Sequence, residues 1–168
     1  MPKIIDNLKP RLISEARRQV SVSGYGSVTV RSVAAACGIG VGTVYNYFPA
    51  KDALIAAVLL EDWAQCIERV RAAAAGAAYP EPVLRAMHTE LRAFADTHSG
   101  VFRDEHALSA YADAAARYHA TLRMQLAEPL RAFCADAFTA EFIAESMLTW
   151  TMAGKSFEEI YSILNKLL

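Results

Sequence analysis

Cysteine is too sparse here for a disulfide framework. Cys37, Cys66 and Cys134 form no CxxC pair and leave one thiol over, so a reduced, cytoplasmic protein is the simple expectation. Long hydrophobic runs are lacking as well. The longest, Ala53 to Leu60, falls far short of the roughly 20 residues that a membrane helix needs. Asp6 and a polar start argue against a signal peptide. Proline and glycine are few and scattered, which excludes a low-complexity chain. No Gly-x-Ser-x-Gly, paired-acid or Cys–His arrangement stands out, so the chain does not read as an enzyme. His88, His98, His106 and His119 have no ligand spacing with cysteine or carboxylate, so neither a metal nor a cofactor is expected.

What is present is an Ala-rich, 54% hydrophobic composition over 168 residues. This suits one helical domain, or a small domain fused to a larger one. The net charge of −1 hides an uneven distribution. Up to Lys51, seven cations (Lys3, Lys9, Arg11, Arg17, Arg18, Arg31 and Lys51) face two acids (Asp6 and Glu15), a net of +5 that leaves −6 for the remainder. A basic amino-terminal third on an acidic body is what a nucleic-acid reader with a second module would show.

The stretch from Thr29 to Lys51 organises the chain: TVRSVAAACGIGVGTVYNYFPAK. Thr29 is placed to cap a helix whose apolar face is Val30, Val33, Ala34 and Cys37. Gly38 suits the left-handed residue that closes it, and Ile39 is the apolar plug expected between two crossing helices. Val41 to Phe48 then predicts a helix of about two turns with Val44 and Phe48 inward. At least three of Thr43, Tyr45, Asn46 and Tyr47 must face out. They are compact or planar hydrogen-bonding groups without charge, which suits a helix in a major groove: Asn can bond an adenine edge twice, and hydroxyls can bond phosphate oxygens. Gly42 lets backbone approach a duplex. Arg31 could reach a base or a phosphate, and Val41 could touch a thymine methyl or simply pack. Lys51 opposes the dipole of the helix it opens, a penalty that a bound phosphate would reverse. The glycines from Gly38 to Gly42 do not suit a dinucleotide loop, because a helix precedes them and Thr43 stands where the third glycine belongs.

These residues resemble the DNA-binding domain of the tetracycline-repressor (TetR) family of bacterial transcription regulators. The likeness is carried by Gly24-Tyr25, Thr29, Val33-Ala34, Cys37-Gly38-Ile39, Gly42-Thr43-Val44-Tyr45, Tyr47-Phe48 and Lys51, and covers about a third of the chain. Gly40 departs from the family's usual capping Ser, and Ala50 from its Ser or Asn. Each departure weakens a cap by a few tenths to ~1 kcal/mol. The resemblance implies an all-α protein with a three-helix helix-turn-helix domain (1–51) and a helical effector-binding and dimerisation domain (52–168). It implies a homodimer on palindromic double-stranded operator DNA, most often a repressor, released by a small apolar or amphipathic effector. Thr43, Tyr45 and Lys51 would then grip phosphates and Arg31, Asn46 and Tyr47 would read bases, with Thr29, Val41 and Gly42 completing the contact set. A co-ligand-dependent regulator or activator, or a small-molecule binder with a vestigial DNA module, are the alternatives.

Elsewhere helical periodicity predicts a first helix from near Pro10, with Ile13, Ala16 and Val20 inward, ending by Ser23-Gly24. Residues 1–9 either extend it or form an arm. A long helix from about Ala50 toward Ala75 would join the two modules. Leu84, Met87, Leu91 and Phe94 mark the next helix, and Thr97 to Gly100 a break. Leu108, Tyr111, Ala115, Tyr118, Leu122 and Leu126 form a long stripe that Pro129 should kink or split, with Phe133 and Ala137 continuing it. Met87, Phe94, Phe102, Tyr111, Tyr118 and Trp150 are either core or the lining of an effector pocket. The segments 141–153 and 156–168 carry more apolar residues than one side can bury. Phe142, Met147, Trp150, Phe157, Ile160, Tyr161, Leu164 and Leu167 are therefore expected at a partner surface, which the resemblance makes the dimer interface.

Overall fold

The computed structural model describes residues 7–168. Residues 1–6, and the side chains of His106 and residues 108–117, lie outside the described set. So do the expectations for Tyr111, Leu108 and Ala115. Nine helices and no strand are present among the described residues: α1 (Leu8–Ser27), α2 (Val30–Ala36), α3 (Val41–Tyr45), α4 (Lys51–Ala74), α5 (Glu81–Thr97), α6 (Ser99–Phe102), α7 (Glu105–Ala127), α8 (Ala137–Met152) and α9 (Phe157–Leu164). The fold is all-α, as the sequence predicts.

The chain forms two compact units. One comprises residues 1–62 and 97–112, the other 63–96 and 113–168. The boundary drawn after Lys51 in the sequence falls on the first residue of α4, whereas the units divide inside that helix, and 97–112 return to the first unit.

In the first unit, Leu8, Leu12, Ile13, Ala16 and Val20 of α1 form a buried stripe. It joins Val30, Val33 and Ala34 of α2, Val44 of α3, Phe48, and Leu54, Ile55 and Val58 of α4. Val101 and Ala107 belong to the same core, so the segment after Thr97 contributes packing rather than a simple break. Beside this core, Arg17 holds the Asp62 carboxylate through Nε at 2.9 Å. The buried His98 ring lies 3.1 Å from the other oxygen of that carboxylate. Burial pulls the His98 pKa below its ordinary value, although Asp62 works in the opposite direction.

In the second unit, Trp63, Ile67 and Val70 of α4 pack with Val83, Leu84, Met87 and Leu91 of α5, Leu126 of α7, and the inner faces of α8 and α9. Pro129 splits the helical run, as expected, and does not kink a continuing helix. It stands in a short 3-10 turn, Glu128–Leu130, because it lacks the N–H that another helical turn would need. The chain then stays non-helical until Asp136, whose side chain accepts from Thr139 N and caps α8. Phe133 packs partly against the core from this linker, so it does not lie on a continued helix. Tyr118 is exposed and has no place in the buried stripe of α7, which Leu126 carries. Ser156 and Glu159 form a capping box at the start of α9. That arrangement holds the Glu159 carboxyl down to about 2, chiefly through the backbone N–H of Ser156.

Candidate nucleic-acid interface

The helix-turn-helix is built by three local devices. Thr29 accepts from Ser32 N at 3.0 Å while Ser32 Oγ accepts from Thr29 N at 3.1 Å, a reciprocal cap that starts α2. Gly38 adopts φ +70°, a conformation that strains residues bearing Cβ, and this stops α2. Ile39, which lies between α2 and α3 in sequence, is half-buried and packs against the core. Gly40 then opens α3 without a side-chain cap, as its departure from Ser implies.

α3 is shorter than the sequence predicts. It ends at Tyr45, with Asn46 as its C-cap and Tyr47 in the turn beyond. Asn46 still has helical angles, φ −69° and ψ −20°. The outward pattern therefore survives: Gly42, Tyr45 and Asn46 are exposed at i, i+3 and i+4, and Thr43 is half-exposed beside them. Val44 and Phe48 are buried on the opposite side, as expected. A Cβ at Gly42 would meet nothing within 4 Å, so this face is open at its centre. Val41 is half-buried and packs partly against the core. Arg31 and Thr29 are exposed at the start of α2, whereas Tyr47 is half-buried.

Several of the amino-terminal cations have protein partners. Arg17 pairs with Asp62 and Glu61 at 2.8 and 2.9 Å, and Arg18 with Glu15 at 2.6 Å. The Arg18 and Gln19 hydrogen bonds hold the Glu15 carboxyl near 2. Arg11 donates to the Cys37 carbonyl at 3.2 Å, beside the end of α2. Lys51 donates to the Tyr25 carbonyl at 2.6 Å and lies 3.7 Å from the centre of the Tyr25 ring. Partial burial lowers its pKa, offset by the nearby Asp104 and Asp52 carboxylates. The sequence does not disclose this seat for Lys51; the only hint is that Gly24-Tyr25 and Lys51 belong to one motif.

Residues 12–58 match the model of the tetR family of bacterial regulatory proteins. The matched segment is thus a TetR-type DNA-binding segment. Over 63 residues the chain is 33% identical to the HTH-type transcriptional regulator UidR of Escherichia coli strain K12. That match covers 38% of the chain and 32% of UidR, so the chain spans about a third of the length of the curated relatives it matches. As a whole fold it is similar to the multidrug binding protein EbrR complexed with imidazole, with a TM-score of 0.68 and 21% identity over 98% of this chain and 96% of that one. It is similarly close to Salmonella enterica GusR, with a TM-score of 0.67 and 19% identity over 99% and 98%. At these identities the likeness is one of fold.

Of the six residues considered for an effector pocket, Tyr111 lies outside the described residues. Met87 is fully buried in the second unit's core and Phe94 packs partly against it. Phe102 belongs to the first unit, while Tyr118 and Trp150 are exposed. The eight residues considered for a dimer interface also divide. Met147, Phe157, Ile160 and Leu164 are at most 5% exposed, because they form the inner stripes of α8 and α9. They are core residues rather than a free face. Tyr161 is half-buried and stacks on Phe157. Phe142, Trp150 and Leu167 are exposed, joined by Met152 of the same apolar segment and by Phe138, Ile163 and Leu168, which the sequence does not mark out. Phe142, Ser146 and Trp150 of α8 border a groove of about 470 Å³ whose other wall includes Ile160, Ile163 and Leu164 of α9. Helical phase separates the two sets, but a helix as apolar all round as α8 does not declare its phase in sequence.

Proposed function

We propose that this protein is a TetR-family regulator that binds palindromic operator DNA as a homodimer, acts as a repressor, and is released by a small apolar or amphipathic effector. The carrying observation is the outward face of α3: an open glycine flanked by Thr43, Tyr45 and Asn46, all able to hydrogen-bond and none charged. Asn46 would read a base edge, while Tyr45, Thr43 and Lys51 would bond phosphates. Arg31 and Tyr47 would flank these contacts.

The exposed Phe142, Trp150 and Ile163 support pairing of two copies through α8 and α9. Two-fold symmetry would then present two copies of α3 about one DNA turn apart, ~34–36 Å. The apolar core of the carboxy-terminal unit suits an effector of similar character, and the structurally similar EbrR is a multidrug binding protein. Such an effector must bind a non-reading conformer more tightly, since equal affinity shifts nothing.

Selection of bound fragments from source-genome DNA, at near-physiological salt and without added ligand, tests the reading. Enrichment of one near-palindromic site of about 15–20 base pairs is expected, the length two half-sites one turn apart require. Folded dimer that enriches no sequence would contradict it.

A further inference from the structure

The helical ladder of α1 is interrupted at Gly24, whose φ of +76° and ψ of 163° turn the chain just before Tyr25. In an unbroken helix the Tyr25 carbonyl would accept from the N–H four residues on, at Thr29. That N–H instead donates to Ser32 Oγ. The Tyr25 carbonyl accepts from Val28 N at 3.3 Å and from the Lys51 ammonium at 2.6 Å. The same ammonium stands 3.7 Å from the centre of the Tyr25 ring, within the range of a cation–π contact. The Tyr25 phenol donates to Asp52, the residue after Lys51, so the ring is tied at its far end to the same helix start. Tyr25 itself is 5% exposed, whereas Lys51 is only half-buried. One side of the ammonium is thus seated on a rigid aromatic residue.

We propose that Tyr25 is a positioning residue for DNA binding: it holds the Lys51 ammonium in place before a phosphate arrives. This rests on the operator-binding reading above. An ammonium has three N–H groups. One goes to the Tyr25 carbonyl, and the ring face fixes the direction of the stem. A phosphate that meets a pre-oriented ammonium avoids the entropy cost of ordering a long, flexible side chain. Tyr25 therefore raises affinity without touching DNA, through a carbonyl that any residue supplies and a ring face that only an aromatic residue supplies.

Two readouts test this. The first uses no DNA. Ring current from Tyr25 should displace the Lys51 ε-methylene proton resonances upfield in the wild-type protein and in Tyr25→Phe, and the displacement should vanish in Tyr25→Leu. Ordinary Lys51 shifts in the wild type would overturn the seat itself. The second measures affinity for a 20-base-pair duplex taken from the fragments that the wild type enriches. Tyr25→Phe should stay within about twofold of the wild type, and Tyr25→Leu should lose about 2–10-fold, the scale of ordering one long side chain. In a Lys51→Ala background, Tyr25→Leu should cause no further loss. Equal losses in both backgrounds would make Tyr25 a packing residue only and overturn the proposal, even if its folded fraction drops. If the wild type enriches no duplex, the operator-binding reading fails and takes this role with it. Enrichment with additive losses removes the Tyr25 role alone.

Discussion

The two units expose different chemistry. On α3 the residues turned outward are Gly42, Tyr45 and Asn46, which can meet water or a polar ligand without loss. On α8 and α9 they include Phe138 at 77% exposure and Ile163 at 64%, which gain only when something covers them. Polar groups on a short helix, preceded by the capped α2 and its left-handed closing glycine, suit a ligand recognised by hydrogen bonds. A stripe of large apolar groups suits a second protein surface. The contrast teaches that exposure alone does not mark a site; the type of side chain exposed does.

The largest effect should come from placing charge on the apolar face. Trp150→Glu with Ile163→Glu should leave a folded monomer by sedimentation, since both side chains are exposed in the protomer. A persistent dimer would remove this face from the interface. Leu164→Glu is the wrong probe, because Leu164 is 2% exposed and its replacement would strike the core.

Truncation then separates the inner face of α8 from its outer face. Met147→Ala, at a fully buried site, should cost ~2–5 kcal/mol in denaturant melts. Phe142→Ala, made in the monomeric variant, should cost within about 0.5 kcal/mol. Equal costs would break the assignment of core and free faces.

In the first unit, acid should act through His98. Its folded pKa is lowered by burial, whereas the unfolded value is near 6.5. The unfolded chain therefore binds the proton more readily. The His98 contribution to stability is full above about 6.5 and declines as pH falls through the window toward the lowered folded value. Thermal melts from pH 7.5 down to 5 should show this decline, and His98→Gln should flatten it. An unchanged pH profile would contradict the assignment.

The smallest effect expected is a gain. Gly40 opens α3 uncapped, and a Cβ there would sit 4.0 Å from Thr43 Oγ1 with no clash. Gly40→Ser should add a few tenths of a kcal/mol by thermal melt. A loss would show that the Gly40 backbone is committed to a conformation that Ser disturbs.

Legibility followed the same division. Thr29, Gly38, Val44 and Phe48 were readable because each has a local physical reason to sit where it does: a cap, a positive φ, two inward positions one turn apart. Pro129 was readable as a disruption, though not as a 3-10 turn followed by a non-helical linker. The end of α3 at Tyr45 was not readable, since Asn46 keeps helical angles beyond the helix and Tyr47 carries the same aromatic character. The inner and outer faces of α8 were not separable because Phe138, Phe142 and Trp150 outside are as apolar as Ile143, Met147 and Leu148 inside. The Lys51 seat on Tyr25 depends on a contact across 26 residues that no period encodes.

Footprinting on the selected duplex tests the paired-reader account most directly, with the wild type beside the Trp150→Glu, Ile163→Glu variant. The account predicts two protected patches on one face of the duplex, about one helical turn apart, for the wild type, and none for the monomeric variant at the same concentration. A single protected patch for the wild type, or equal protection by the variant, would contradict it.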